Sequence, residues 1–68
     1  MKNKFGKKIQ AIREEKSMSR TELAQASGLT EKGLTYIEEG KRIPRLDTFL
    51  RIAKGLGVSP EAIMEETA

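Results

Sequence analysis

The 68-residue sequence contains no cysteine and no histidine, and these two absences exclude several kinds of site. No disulfide can form, the usual zinc ligands are missing, and acid–base catalysis by an imidazole is excluded. Catalysis would have to use carboxylates or a lysine, and the sequence pattern places no pair of these in an evident pocket. We therefore expect a protein that is not an enzyme and that holds no metal ion or other cofactor.

Long apolar runs are also absent from the sequence. No stretch approaches the roughly 20 apolar residues that cross a membrane, and no basic and apolar segments precede a cleavage site as in a secretory signal. We expect a cytoplasmic protein with no membrane segment. A chain of this length buries roughly 60% of its unfolded surface, which is enough for one small core. Residues 1–68 are therefore expected to form a single domain.

Apolar residues recur at helical spacing, and the sequence shows no strand pattern or internal repeat. Phe5, Ile9 and Ile12 follow one another at i, i+4 and i+7, which predicts a first helix over about residues 3–15. Such a stripe is typical of a helix that buries one side against the rest of a bundle.

The stretch from residue 20 to residue 39 is the most informative part of the sequence. Ser19 and Glu22 have the spacing of a capping box, which predicts the start of a second helix. Gly28 ends that helix at a position that favours positive φ, and Thr30 caps a third helix that runs to about residue 39. Two short helices joined by a tight turn are typical of a helix-turn-helix, whose second helix can enter the major groove of DNA. The expected buried residues of this unit are Leu23, Ala24, Leu29, Leu34 and Ile37.

Two more helices are expected after a loop. Gly40 and Pro44 break the helical pattern, and a fourth helix then extends to Gly57. The order Ser59-Pro60-Glu61, a capping serine followed by a proline and an acid, predicts a short fifth helix. The expected fold is therefore all-α, a compact five-helix bundle that contains a helix-turn-helix. The apolar face of the fourth helix is expected to comprise Leu46, Phe49, Leu50, Ile52, Ala53 and Leu56.

The net charge of +3 is unevenly distributed along the chain. Residues 1–16 carry a net +4 and residues 41–54 another +4, whereas residues 17–40 carry −2 and residues 55–68 carry −3. Two basic blocks therefore flank the helix-turn-helix. This placement favours nucleic-acid binding, whereas the amount of charge alone would favour ordinary solvated lysines.

The chain resembles the phage Cro/repressor-type helix-turn-helix family, also called the Xre family, in the order and spacing of six short motifs. The motifs are Ile12-Arg13, Glu22-Leu23-Ala24, Gly28-Leu29-Thr30, Tyr36-Ile37-Glu38, Gly40-Lys41-Arg42-Ile43-Pro44 and Ile52-Ala53-Lys54-Gly55-Leu56-Gly57-Val58. The resemblance covers about residues 5–64, and the last two motifs make it specific. It implies a lambda-repressor-like DNA-binding domain whose partner is double-stranded DNA.

The resemblance also implies how such a domain meets DNA. In the family, the third helix lies in the major groove with its N-terminal residues toward the base edges. The matching positions are Glu31, Lys32, Thr35 and Tyr36. They lie on the side of the helix opposite Leu34 and Ile37, which is compatible with this role, although an ordinary solvated face would show the same pattern.

The family's phosphate contacts come from the start of the second helix and from the loop after the third. The matching residues are Arg20, Lys41, Arg42 and Arg45. A guanidinium binds a phosphate well, and the first-turn amides of a helix add positive potential. Lys41 and Arg42 can also complement the dipole of the third helix, and both roles can hold together.

Arg13 and Glu38 match a pair that, in the family, forms a partly buried ion pair between the first and third helices. The expected role is structural, because the pair would fix the recognition helix without touching DNA.

Where the family usually has a glutamine that bridges a phosphate and the recognition helix, this chain has Arg20. We expect the larger cation to keep the phosphate contact and to lose the bridge.

Two other positions depart from the family's pattern. Gly33 lies inside the third helix, where glycine costs about 1 kcal/mol relative to alanine. Either it lets the helix approach the DNA backbone closely, or it has no functional meaning. Arg45 stands where the family usually has a serine or threonine cap, so Asp47 is expected to cap the fourth helix.

These features predict a sequence-specific transcriptional regulator that binds double-stranded DNA and acts as a repressor. One recognition helix reads only a few base pairs, so a homodimer on a palindromic operator is expected. The expected dimer surface comprises Leu50, Ile63 and Met64, although a core position is the better assignment for Ile63. The alternative is a protein-interaction module or an antitoxin, which would use the same fold mainly to bind a protein partner.

Overall fold

Five α-helices form the computed structural model, which describes residues 5–64 of the chain. They are α1 (Phe5–Glu15), α2 (Arg20–Ser27), α3 (Glu31–Glu38), α4 (Leu46–Leu56) and α5 (Pro60–Met64). The expected all-α bundle of five helices is confirmed, and α2 and α3 form its helix-turn-helix. The expected start of the first helix at residue 3 lies outside the described residues.

Capping interactions set the ends of α2 and α3 where the sequence predicts them. The Glu22 amide donates to Ser19 Oγ at 3.0 Å, and the Ser19 amide donates to Glu22 Oε1 at 2.8 Å. Gly28 ends α2 with a φ of 70°. The Gly33 amide donates to Thr30 Oγ1 at 3.0 Å at the start of α3. The predicted capping box, glycine stop and threonine cap are therefore all confirmed.

The start of α4 differs from the sequence prediction. Arg45 occupies the N-cap position in an extended conformation, with a φ of −69° and a ψ of 162°, and it makes no side-chain capping hydrogen bond. Asp47 is the second residue of α4, so its backbone is already helical and its side chain cannot take the N-cap role. The predicted Asp47 cap is therefore wrong.

Each helix contributes one fully buried aliphatic side chain to the hydrophobic core. These residues are Ile9, Leu23, Leu34, Ile52 and Ile63. Phe5 packs against this core, with its ring centroid 5.4 Å from that of Phe49. Leu46 and Leu50, which we expected on the buried face of α4, are 74% and 45% exposed. They lie beside the buried stripe rather than on it, since the positions i, i+3, i+4 and i+7 are already occupied by Phe49, Ile52, Ala53 and Leu56.

Two glycines allow helices to pack closely: Gly6 lies against the backbone of α3, and Gly55 lies against side chains of α2. A Cβ atom at Gly6 would overlap the carbonyl oxygens of Ile37 and Glu38, so α1 touches the last turn of α3. A Cβ atom at Gly55 would lie 2.7 Å from Ser27 Oγ, so α4 approaches α2 closely. These two contacts hold the helix-turn-helix against the rest of the bundle, and the sequence analysis did not identify them.

Two kinds of feature are absent from the described part of the chain. None of its helices is long and apolar enough to cross a membrane. Within residues 5–64, no group of three or more His, Cys, Asp or Glu side chains is arranged to hold a metal ion.

Candidate nucleic-acid interface

The outward side of α3 carries the four residues that the resemblance places toward base edges. Leu34, Ile37 and Glu38 are buried on the inner side of the helix. The outward residues occupy positions i, i+1, i+4 and i+5 and so share one side of the helix: Glu31, Lys32, Thr35 and Tyr36. The first two are exposed and the last two are half-buried. The structure therefore brings all four together on one surface of the helix-turn-helix.

Tyr36 links this surface to the loop that follows α3. Lys32 Nζ lies 5.8 Å from the centre of the Tyr36 ring, and Arg42 Cζ lies 5.9 Å from it. Cations within about 6 Å of an aromatic ring are attracted to its electron-rich face. The ring therefore holds one cation from α3 and one from the loop. This contact was not predicted from the sequence, although Lys32 precedes Tyr36 by four residues, the spacing of neighbours on a helix surface.

The loop between α3 and α4 presents a group of cations. Lys41, Arg42 and Arg45 are all exposed. Lys41 Nζ forms an ion pair with Glu39 Oε1 at 3.3 Å, which contributes little to stability because both side chains are largely exposed. Gly40, with a φ of 78°, turns the chain after α3. This turn and the contact between Arg42 and Tyr36 place the loop beside the outward face of α3.

The structure brings Arg13 and Glu38 together in a buried ion pair between α1 and α3. Arg13 Nε donates to Glu38 Oε2 at 2.8 Å, and Arg13 Nη2 donates to Glu38 Oε1 at 3.1 Å. These hydrogen bonds raise the pKa of the Arg13 guanidinium, against the opposing effect of its burial. Arg13 Nη1 also donates to the Met18 carbonyl oxygen at 2.8 Å. Arg13 therefore joins α1 both to α3 and to the connection that precedes α2.

Arg20 also reaches Glu38, which the sequence analysis did not anticipate. Arg20 is the first residue of α2, and its Nε donates to Glu38 Oε1 at 3.0 Å. Arg20 therefore keeps a contact with α3, and the expectation that it loses this side of the bridge is wrong. Its side chain is long enough to contact the last turn of α3 and is still 33% exposed. Arg20 thus lies at the boundary between the buried ion pair and the surface.

The residues expected at a dimer surface fall into two groups. Ile63 is fully buried within the chain, so its assignment to a dimer surface is wrong, and it serves as the core residue of α5. Leu50 is exposed, and Met64 is 47% exposed. Two further exposed apolar residues, Ile43 and Leu46, were not assigned to a dimer surface from the sequence.

The fold and this surface define a helix-turn-helix domain with a polar outward face on its second helix. The helix-turn-helix family model HTH_3 matches residues 9–63, and the chain belongs to this family. The matched range includes the whole of α2, α3 and α4. The family identified from the six sequence motifs is therefore confirmed.

Three similar proteins illustrate the family. Over 55 residues the chain is 40% identical to an uncharacterised HTH-type transcriptional regulator of Mycobacterium bovis, a match that covers 81% of this chain and 22% of the regulator. Over 64 residues it is 39% identical to the control protein C.BamHI of Bacillus amyloliquefaciens, a match that covers 93% of this chain and 79% of that protein. The crystal structure of the restriction-modification controller protein C.AhdI from Aeromonas hydrophila matches with a TM-score of 0.86 and 32% identity, covering 88% of this chain and 91% of that one.

These relatives differ in how much of their length the chain represents. It spans about a fifth of the mycobacterial regulator but most of C.BamHI and C.AhdI. All three are named as regulators or control proteins, and none is named as an enzyme. The chain is therefore a member of a family of helix-turn-helix transcriptional regulators.

Proposed function

We propose that this protein acts as a transcriptional repressor that binds double-stranded DNA with α3 in the major groove. The observation that carries the proposal is the outward face of α3, where Lys32 and Tyr36 lie beside Arg42 of the following loop. None of these three side chains belongs to the hydrophobic core, so packing does not require their placement. The major groove is wide enough to admit an α-helix, and polar and cationic side chains on its outward face can contact base edges there.

The outward residues of α3 offer hydrogen-bonding groups that suit base edges. Lys32 can donate to O6 or N7 of guanine, and Glu31 can accept from N4 of cytosine. Thr35 Oγ1 donates to the Glu31 carbonyl oxygen at 2.9 Å, so its hydroxyl acts toward DNA as an acceptor. Tyr36 can pack on a thymine methyl group or donate to a phosphate. In this proposal, these four side chains provide the sequence preference.

A second group of residues is proposed to bind phosphates and to provide affinity. The group comprises Arg20, Lys41, Arg42 and Arg45. Each phosphate that is neutralised adds about 0.9 to the slope of log K against log salt. Four such contacts predict a slope of roughly −4 for each bound copy of the domain.

The proposed assembly is a homodimer on a palindromic operator, since a single copy of α3 reads too few base pairs for useful specificity. Leu50 and Met64 stay in the proposed dimer surface because both are exposed apolar side chains. Leu46 joins them, since it precedes Leu50 by one helical turn on α4 and is more exposed. The cytoplasmic location expected from the sequence remains a prediction.

Selection of bound duplexes from a random DNA library tests the DNA-binding function and the assembly together. We expect enrichment of two inverted half-sites whose centres lie about one helical turn apart, or a multiple of it. Enrichment of a single half-site would support DNA binding and contradict the homodimer. A library that shows no enrichment would contradict sequence-specific binding.

Removal of loop cations distinguishes DNA binding from the alternative function, which is the binding of a protein partner. We expect the Lys41→Ala/Arg42→Ala double variant to bind all duplexes more weakly and to lower the salt slope by about 2. The matched control is Arg51→Ala/Lys54→Ala, which removes two exposed cations of α4 that lie outside the proposed interface. Affinity that is unaffected by the loop variant would favour a module that mainly binds a protein partner, as in an antitoxin.

A further inference from the structure

The carboxylate of Glu38 accepts hydrogen bonds from two arginines that belong to two different helices. Its Oε1 accepts from Arg13 Nη2 at 3.1 Å and from Arg20 Nε at 3.0 Å, and its Oε2 accepts from Arg13 Nε at 2.8 Å. The Glu38 side chain is fully buried. One carboxylate therefore fixes three helices relative to one another, and two guanidinium groups share it.

Arg20, rather than Arg13, keeps N–H donors for a further acceptor. The guanidinium of Arg13 is engaged on several sides, because it contacts Glu38 through two nitrogens and the Met18 carbonyl oxygen through the third. In the part of the chain that the structure describes, Arg20 makes its hydrogen bond through Nε alone. A guanidinium has five N–H donors in a planar fork, so the Nη groups of Arg20 keep donors for another acceptor.

The position of Arg20 directs these donors toward an anion outside the protein. Arg20 begins α2 immediately after the Ser19 cap, where the helix dipole adds positive potential, and its side chain is a third exposed. A flexible arginine loses rotamer freedom when it binds a ligand. Arg20 has already lost part of this freedom through its bond to a buried carboxylate, so less is lost when a phosphate binds.

We propose that Glu38 is a positioning residue for DNA binding: it holds Arg20 by Nε so that the Nη groups bind a phosphate of the DNA that α3 enters. This inference rests on the proposed DNA-binding function. Arg13 fixes Glu38, Glu38 fixes Arg20, and Arg20 binds the phosphate. A lysine cannot replace Arg20. A planar guanidinium can donate to the Glu38 carboxylate from one edge and to a phosphate from another, whereas an ammonium is a single point of charge and cannot span the two acceptors.

The first test uses variants of Arg20 and leaves the buried pair between Arg13 and Glu38 intact. Affinity is measured by fluorescence anisotropy on a mixed-sequence duplex about three helical turns long, since phosphate contacts do not depend on sequence. We expect Arg20→Lys to bind about tenfold more weakly than the wild type. We expect Arg20→Ala to reduce the salt slope by about 0.9. Thermal unfolding followed by circular dichroism verifies that both variants are folded.

The matched control is Arg51→Lys, the same substitution at an exposed position of α4 outside the proposed interface. It is expected to bind within about twofold of the wild type. Arg20→Lys that binds as tightly as this control would overturn the positioning role and leave DNA binding by the domain standing. Arg20→Ala with an unchanged slope would overturn the positioning role and would also remove Arg20 from the proposed phosphate contacts. A wild-type protein that bound no duplex at low salt would overturn the proposed function and this inference together.

The second test observes Arg20 in the wild-type protein. The Nε–H resonance of Arg20 is followed by NMR in the free protein and in the complex with the same duplex, after assignment with the Arg20→Lys variant. We expect this hydrogen to exchange slowly in both states, because Glu38 holds it throughout, while the Nη resonances shift on binding. Loss of protection at Nε–H in the complex would show that Arg20 leaves Glu38 to reach DNA and would overturn the proposal.

Discussion

The α-carbon of Gly6 packs against the carbonyl group of Glu38, which brings the backbones of α1 and α3 into contact. A Cβ atom at residue 6 would lie 2.6 Å from the Glu38 carbonyl oxygen. Two turns further along α1, Arg13 holds the side chain of the same glutamate. Helix α1 therefore fixes the end of α3 at two points: the backbone of Glu38 and the carboxylate of Glu38.

Gly6→Ala is expected to lower the free energy of unfolding by about 2–3 kcal/mol. The added methyl group meets backbone carbonyl groups of α3, which cannot move aside as the end of a flexible side chain can. Equilibrium unfolding in urea measures the change. A Gly6→Ala variant as stable as the wild type would show that α1 and α3 are not in backbone contact.

Glu38→Gln is expected to lower the free energy of unfolding by about 3–5 kcal/mol, because it leaves Arg13 without its buried charged partner. Equilibrium unfolding in urea measures this change in the free energy of unfolding. The matched control is Glu39→Gln, whose carboxylate pairs with Lys41 at the exposed surface and should change stability by less than about 0.5 kcal/mol. Similar losses for the two variants would contradict the special role of Glu38.

Gly33→Ala is expected to raise the free energy of unfolding by about 0.5 kcal/mol, since alanine favours helix and glycine does not. Its Cβ atom would meet Thr30 Oγ1 at 3.1 Å, and this exposed side chain can shift slightly. Urea unfolding checks the stability. The DNA affinity of the same variant decides between the two interpretations of Gly33: a loss indicates a close approach to the DNA backbone, and no change indicates that glycine has no functional meaning there.

The end of α2 and the starts of α2 and α3 were predictable because they depend on chemistry within a few residues. The capping box of Ser19 and Glu22, the left-handed Gly28 and the Thr30 cap all act within one turn of the chain. The outward face of α3 was predictable for a similar reason, since the helical period alone separates Lys32 and its neighbours from the core.

Contacts between helices were not predictable from local patterns. Whether Gly6 meets another backbone, or whether Arg20 reaches Glu38, depends on the distances between helices that only the packed bundle defines. The exposure of Leu46 has the same origin, because the residues of α4 that become buried depend on how the other helices pack against it. The predicted Asp47 cap was wrong for a different reason: the N-cap residue of α4 is Arg45, two residues before Asp47.

Lys32→Ala and Arg42→Ala are expected to change DNA binding in different ways. Loss of Lys32 should relax the base preference, with a loss of about 1–3 kcal/mol of discrimination at one position. Loss of Arg42 should weaken all sequences about equally and reduce the salt slope by about 0.9. Repeating the library selection with each variant distinguishes the two. A Lys32→Ala variant that keeps the wild-type preference would show that another face of α3 reads the bases.

Tyr36→Leu is expected to reduce DNA affinity a few-fold, because it removes the ring that holds Lys32 and Arg42 near each other. Tyr36→Phe keeps the ring and should retain most of the affinity. Anisotropy with the selected operator compares the two variants. Equal losses in both would indicate that the hydroxyl group, rather than the ring, is what Tyr36 contributes.

The two sides of α3 separate the residues that keep the domain folded from the residues that we propose to recognise DNA. Leu34 and Ile37 belong to the core, whereas the outward residues do not. Over evolutionary time, this surface can therefore acquire a new operator by a few substitutions without unfolding the domain. For the same reason, a library randomised at Glu31, Lys32 and Thr35 would yield folded variants with altered targets. Tyr36 is best kept constant in such a library, because changing it also displaces a cation of the neighbouring loop.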